Sequence, residues 1–178
     1  MIAHALTGLR LLLVAPTALG FARPDLLPPT WLLACILLAI ATDLLDGVVA
    51  RRMGTASPMG QLFDHGTDCL FVTSALSAAA YVELLTPMLP VLVVLAFGQY
   101  VMDSRFLRRD KALRGSFLGR WNGIGYFVPV IVLAMARSNL PGGVAAALFD
   151  AAAVLAWILV ITTLVSIADR ALAGQRTG

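Results

Sequence analysis

Between residues 2 and 167 the chain is a series of apolar runs parted by short polar segments, and that pattern leaves few folds open. The runs cover about 2–22, 31–50, 59–85, 87–102, 121–136 and 144–167. Each is near the ~20 residues that a helix needs to cross a bilayer. Lipid offers the backbone no hydrogen bonds, so a spanning segment must satisfy its own as a helix. Hydrophobic residues make up 60% of the 178, and the mean hydropathy of +0.88 lies far above that of soluble chains. The expected fold is all-α: a polytopic membrane protein, a bundle of six transmembrane helices in a single domain, 1–178, with no internal repeat or low-complexity tract. The first run has its charge, Arg10, inside the apolar stretch, and no small-x-small site follows, so it reads as a retained span and not a signal peptide. Cys35 and Cys69 sit within apolar runs and read as small buried hydrophobes; no zinc or disulfide pattern accompanies them.

The charges between the runs set an orientation. With the N-terminus inside, the inner segments hold Arg51, Arg52, a basic stretch with Arg105, Arg108, Arg109, Lys111, Arg114 and Arg120, then Arg170 and Arg176, while the outer ones hold only Arg23 and Arg137. Cytoplasmic loops carry the excess of Lys and Arg. The reading is a multi-pass protein of the plasma (inner) membrane with both termini in the cytoplasm. Trp31 and Tyr81 would stand in the outer aromatic belt and Trp121 in the inner one.

Four carboxylates break this apolar pattern: Asp43 and Asp46 near the end of the second run, Asp64 and Asp68 near the start of the third. An acid at the centre of a membrane helix costs about 2.5–3.5 kcal/mol on insertion scales. No run of Lys or Arg lies among the four, so a bound divalent cation is the simplest compensation. Asp43 and Asp46 are three apart, Asp64 and Asp68 four apart, so each pair shares a helix face. The second helix should end near Arg51 and the third begin near Ser57-Pro58, with Ser as N-cap and Pro in the first turn. In such an antiparallel hairpin the first pair lies roughly 7–12 Å before the turn and the second roughly 9–15 Å after it, so the four can converge. Gly47 lets a ligand approach the backbone, and Arg51 offers a fork suited to phosphate oxygens.

The stretch D-x2-D-G-x2-A-R-x8-G-x3-D-x3-D, met at Asp43, Asp46, Gly47, Ala50, Arg51, Gly60, Asp64 and Asp68, resembles the signature of the CDP-alcohol phosphotransferases. Leu6-Thr7-Gly8-Leu9-Arg10 is similar to the family's N-terminal N-x-L-T-x-x-R element, with His4 where Asn is usual. The resemblance implies transfer of a phosphatidyl group from a CDP-linked lipid such as CDP-diacylglycerol to a small alcohol, with release of CMP, in phospholipid biosynthesis. It implies Mg²⁺ or Mn²⁺, two ions, with Asp43, Asp46 and Asp64 as main ligands and Asp68 as general base and further ligand. CDP would be held by Asp43, Asp46, Gly47, Ala50, Arg51, Gly60, Thr7 and the loop residue Ser57. Arg10 either faces the nucleotide or snorkels to the interface. His65 is a neighbour of the site, and Asp103 and Asp110 pair with nearby arginines. The family also implies a homodimer, and no nucleic-acid partner is expected.

The basic stretch supplies acceptor-phosphate candidates in Arg105, Arg108, Arg109, Lys111, Arg114 and Arg120, although topology bias and anionic lipids account for much of that charge. Chain size is similar to the phosphatidylglycerophosphate synthases, which makes glycerol 3-phosphate the first acceptor expected. Those enzymes read D-P-x-A-D-K at the last acids, where this chain reads Asp64-His65-Gly66-Thr67-Asp68-Cys69. Inositol phosphate, serine or another alcohol is therefore the alternative. A membrane cation transporter is the alternative of another class. It would spread polar ligands over broken helices at midplane, whereas here the acids gather toward one face.

Overall fold

The computed structural model describes residues 2–52, 58–106 and 117–175. They form seven helices: α1 Ile2–Ala22, α2 Pro29–Arg52, α3 Pro58–Tyr81, α4 Met88–Phe106, α5 Phe117–Gly125, α6 Phe127–Ala136 and α7 Gly142–Gln175. The described residues are all helix and turn. Four stretches are long and apolar enough to cross a membrane: Ala5–Ala22, Pro29–Asp46, Leu118–Ala136 and Gly142–Leu172. Met88–Met102 in α4 is apolar but shorter. Helix α3 is as long as α2 and carries Asp64, His65 and Asp68 in its first half. Large apolar side chains point away from the core on every long helix, among them Leu12, Leu44, Val91 and Ile161. So broad an apolar surface marks contact with lipid.

The fifth run departs from one unbroken span over 121–136. It begins four residues earlier and is divided between α5 and α6 at Tyr126. Pro129 is the cause: it has no N–H to donate, and its ring crowds the carbonyl four residues back, that of Gly125. The break is slight, because Tyr126 keeps helical dihedrals and donates its N–H to Asn122. The Tyr126 hydroxyl pairs with that of Thr163 at 2.8 Å, which fixes the joint against α7. A Cβ on Gly125 would come within 3.0 Å of Leu159, so the helices close tightly there.

Packing also departs from a self-contained hairpin. Helix α1 lies against both α2 and α3, α2 further against α6, and α3 against α4 and α6, while α4, α5 and α6 pack on α7. Among the described residues α2 and α3 are not a closely packed pair; α1 joins them. Ile36, Phe71, Leu76, Val130, Leu133 and Ala156 fill the middle of the core, with Phe71 stacked on Phe127. Cys35 and Cys69 are half-buried and unpaired by disulfide, not fully buried as expected. Arg137 follows α6 and donates from Nη1 to the carbonyls of Gly20 and Phe21, both at 3.0 Å, so it caps the C-terminus of α1.

Helix α3 stops at Tyr81, earlier than the hydropathy pattern suggests. Glu83 has φ of 60°, and Leu84 donates its N–H back to Ala79, a left-handed cap of the kind glycine usually fills. The left-handed region costs a residue with a Cβ roughly 1–2 kcal/mol. Replacing exposed Glu83 by Gly is therefore expected to raise thermal stability in detergent by about 0.5–1 kcal/mol, and Glu83→Val to lower it. A fall on Glu83→Gly would show that the Glu side chain stabilises the turn.

Candidate functional site

Three helices meet at the site, and each brings side chains one turn apart. Helix α2 supplies Asp43 and Asp46, α3 supplies Asp64 and Asp68, and α1 supplies Thr7 and Arg10. Thr7 is buried and donates to Asp46 Oδ2 at 2.6 Å; Asp46 is itself buried. Arg10 has no exposed surface at all. Its Nη1 donates to Asp64 Oδ1 at 2.9 Å and to Asp68 Oδ1, and its Nη2 stands 3.1 Å from Asp43 Oδ1. The guanidinium thus occupies the point where three carboxylates converge. It neither snorkels nor stands apart from the acids.

The pairing is incomplete. Arg10 Nε and Nη2 are buried without a hydrogen-bond partner, the Asp43 contact lacking the geometry of one. Three carboxylates face one guanidinium. The side chains of Asp43, Asp64 and Asp68 remain 31%, 24% and 23% exposed, which leaves the cluster open on the face away from Arg10. His65, exposed, adds Nδ1 at 4.0 Å from Asp64 Oδ2, and one ligand atom each from Asp64, His65 and Asp68 lie within 4.8 Å of one another. Carboxylate oxygens with an imidazole suit a hard divalent cation. The position already held by a guanidinium shows that the local field favours positive charge.

Gly47, Ala50 and Arg51 lie in the last turns of α2, Gly60 in the first turn of α3 and Arg105 at the end of α4. The side chains of Gly47, Ala50, Arg51, Asp103 and Arg105 lie outside the described residues, as do Ser57, Arg108, Arg109, Asp110, Lys111 and Arg114 altogether. Arg120 is exposed on α5.

Two features beside the acids have no signature in the sequence. One is a polar cluster where α4 and α5 pack on α7. His65 stacks on Tyr100 at 5.9 Å, and the Arg170 guanidinium lies over the same Tyr100 ring, 5.8 Å from its centroid. Gly119 makes room for Arg170: a Cβ there would stand 2.7 Å from Nη2. Gln99 donates to the Ile167 carbonyl, leaving its Oε1 buried and unpaired, and Asn122 Nδ2 is likewise buried without a partner. The other feature is an apolar groove of about 400 Å³ between α1, α3 and α4, lined by Leu11, Leu62, Phe63, Gly66, Thr67, Leu70, Phe97 and Val101. Gly66, on α3 between the two acids, keeps Phe97 close, 3.6 Å from where a Cβ would stand.

A family model of CDP-alcohol phosphatidyltransferases matches residues 1–167. The chain belongs to that family. Within it, an archaetidylinositol phosphate synthase of Aeropyrum pernix is 34% identical over 160 residues, covering 88% of this chain and 80% of the relative. A CDP-diacylglycerol–serine O-phosphatidyltransferase of Encephalitozoon cuniculi is 36% identical over 120 residues, 62% of this chain and 30% of its own length. An uncharacterized class-I family protein of Schizosaccharomyces pombe is 48% identical over 46 residues, 24% of this chain, and the match spans only 12% of that relative. No solved structure is a significant match. The match covers most of the chain, including the four helical stretches long and apolar enough to cross a membrane except the end of the last.

Because Thr7 binds a buried carboxylate, Thr7→Val should leave Asp46 short of a donor and cost about 1–3 kcal/mol. Thermal unfolding in detergent, compared with Thr7→Ser, checks it: the serine variant should stay near the wild type. Equal loss in both variants would mean that the methyl group, not the hydroxyl, holds α1 to α2.

Proposed function

We propose that the protein transfers a phosphatidyl group from a CDP-linked lipid to inositol phosphate, releasing CMP on the cytoplasmic face of the plasma (inner) membrane. The observation that carries the reaction class is the meeting of Asp43, Asp64 and Asp68 at one cation position. In this reading Asp43, Asp46, Asp64 and Asp68 hold Mg²⁺ or Mn²⁺, two ions by family resemblance, and His65 stands at the edge of the set. Such ions, when bound, neutralise charge on a pyrophosphate and on the departing phosphate.

The chain's own residues then divide the work. Asp68 takes the proton from the acceptor hydroxyl. The acceptor oxygen bonds to the phosphorus of the phosphatidyl group, the P–O bond to CMP breaks, and CMP leaves with that electron pair. Thr7, Asp46, Gly47, Ala50, Arg51, Ser57 and Gly60 surround the nucleotide. The groove along Leu11, Leu62, Phe63 and Phe97 takes apolar chains of the lipid, placing its phosphate next to the acids.

For the acceptor, the findings favour a different alcohol from glycerol 3-phosphate. The relative that aligns over most of this chain makes an archaetidylinositol phosphate. Arg170, over the Tyr100 ring that His65 stacks on, would give a phosphate-bearing acceptor a fixed cation. Serine is the second reading, supported by the serine transferase relative. Arg105, Arg108, Arg109, Lys111, Arg114 and Arg120 extend the positive field that draws an anionic acceptor in. The six helical passes, counting α5 and α6 as one, would run with both termini inside, and the protein would act as a single-domain homodimer.

CMP release tests this directly. With CDP-diacylglycerol, and separately a CDP-linked archaeal-type ether lipid, turnover should cease in chelator and return with Mg²⁺ or Mn²⁺. Inositol phosphate should outperform serine and glycerol 3-phosphate in an acceptor panel; preference for either of those two would overturn the acceptor assignment. Asp68→Asn should slow transfer about 10²–10⁴-fold, the usual contribution of a general base, while CDP-lipid binding survives. Loss of CDP-lipid binding as severe as in Asp46→Asn would make Asp68 chiefly a ligand. Arg170→Gln should raise KM for inositol phosphate with little change in CDP-lipid affinity.

A further inference from the structure

We propose that Arg10 is a displaceable internal counter-cation of the carboxylate cluster, holding Asp43, Asp64 and Asp68 together in the cation-free protein and leaving when divalent cations enter. Three observations carry this. The guanidinium is fully buried and sits on Oδ1 of Asp43, Asp64 and Asp68, three carboxylates of the proposed cation cage. A divalent ion drawn to the same three carboxylates would be repelled by the guanidinium and compete with it for their charge. The seat is also a poor one for arginine: Nε and Nη2 have no hydrogen bond, although a guanidinium binds best through paired donors on one carboxylate. Finally, one guanidinium faces three carboxylates whose side chains stay partly exposed, so the cluster is still open to a further cation.

Thr7, one turn away on α1, keeps its bond to Asp46, so α1 stays docked when the arginine side chain moves.

This inference rests on the metal-cage reading above, and the experiment separates the two. Mn²⁺ binding to the full-length protein in nanodiscs, without substrate, is followed by electron paramagnetic resonance for the wild type, Arg10→Met, Arg10→Lys and Asp43→Asn. Competition is a reciprocal coupling, for which factors of about 5–150 are usual. Arg10→Met should therefore bind Mn²⁺ about tenfold more tightly or better, while its cation-free melting temperature falls. Arg10→Lys should lie between. A wild type that binds Mn²⁺ through Asp43, with Arg10→Met equal or weaker, overturns the exchange and leaves the cage intact. A wild type with no Asp43-dependent Mn²⁺ binding removes both. A second measurement needs no Arg10 variant. Modification of Arg10 by a phenylglyoxal reagent, read by mass spectrometry on the wild type, should rise several-fold at saturating Mn²⁺, and an unchanged yield overturns the proposal.

Discussion

Charge compensation between Arg10 and three aspartates governs how the first three helices are arranged. An unpaired charge within an apolar environment is strongly unfavourable, and removing one partner of a buried pair costs about 3–5 kcal/mol. Neither α2 nor α3 can place its acids against the bundle unless α1 brings the guanidinium to them. Accordingly, among the described residues, α1 packs on both acid-bearing helices, which are not closely packed on each other. Thr7, three residues before Arg10, extends the same logic to Asp46 with a neutral donor. The first helix is therefore more than a membrane anchor. It carries the polar half of the site.

The acids themselves were legible in the sequence, because carboxylates three and four apart in apolar runs admit few explanations. Their compensating charge was not. Arg10 lies 54 and 58 residues from Asp64 and Asp68, and periodicity within one helix says nothing about a partner on another. The cost of intramembrane charge showed that a cation was needed, and the nearest arithmetic answer, a metal, hid the one already in the chain. Pro129 was a readable signal that hydropathy averaging concealed: the fifth run stays apolar through the break, so only the missing N–H marks it. The end of α3 was misplaced for a similar reason. Residues 82–85 are mixed enough to extend a span, but the left-handed turn at Glu83 has no glycine to announce it.

The polar cluster around Arg170 was invisible for a different reason. Tyr100, Asn122, Ser166 and Arg170 sit on three helices and share no spacing. What brings them together is backbone proximity at Gly119, whose missing Cβ lets the guanidinium lie against α5. Span lengths matter too: α7 continues past the apolar run to Gln175, and only that extra length puts Arg170 level with Tyr100. The basic stretch after α4 drew attention in the sequence by its density of charge, yet density is what topology alone would produce. A single half-buried arginine over an aromatic ring is the more specific feature, since its position is fixed.

Two unlike environments consequently meet along one turn of α3. On one side Gly66 admits Phe97 and an apolar groove; on the other His65 leads through Tyr100 to Arg170. Asp64 and Asp68 lie between. A reaction joining a lipid to a charged, water-soluble alcohol needs such a boundary, because each substrate must reach the same phosphorus from its own phase. Helical geometry allows it: residues 64–68 span little more than one turn, at about 3.6 residues per turn, so Asp64 and Asp68 share one face while His65 and Gly66 turn to others. Replacing Gly66 would fill the apolar side with a side chain, whereas replacing His65 would open the polar one, and the aspartates would keep their places in both cases because Arg10 approaches from α1. One short segment of α3 thus presents an apolar surface, a polar one and a pair of carboxylates on separate faces.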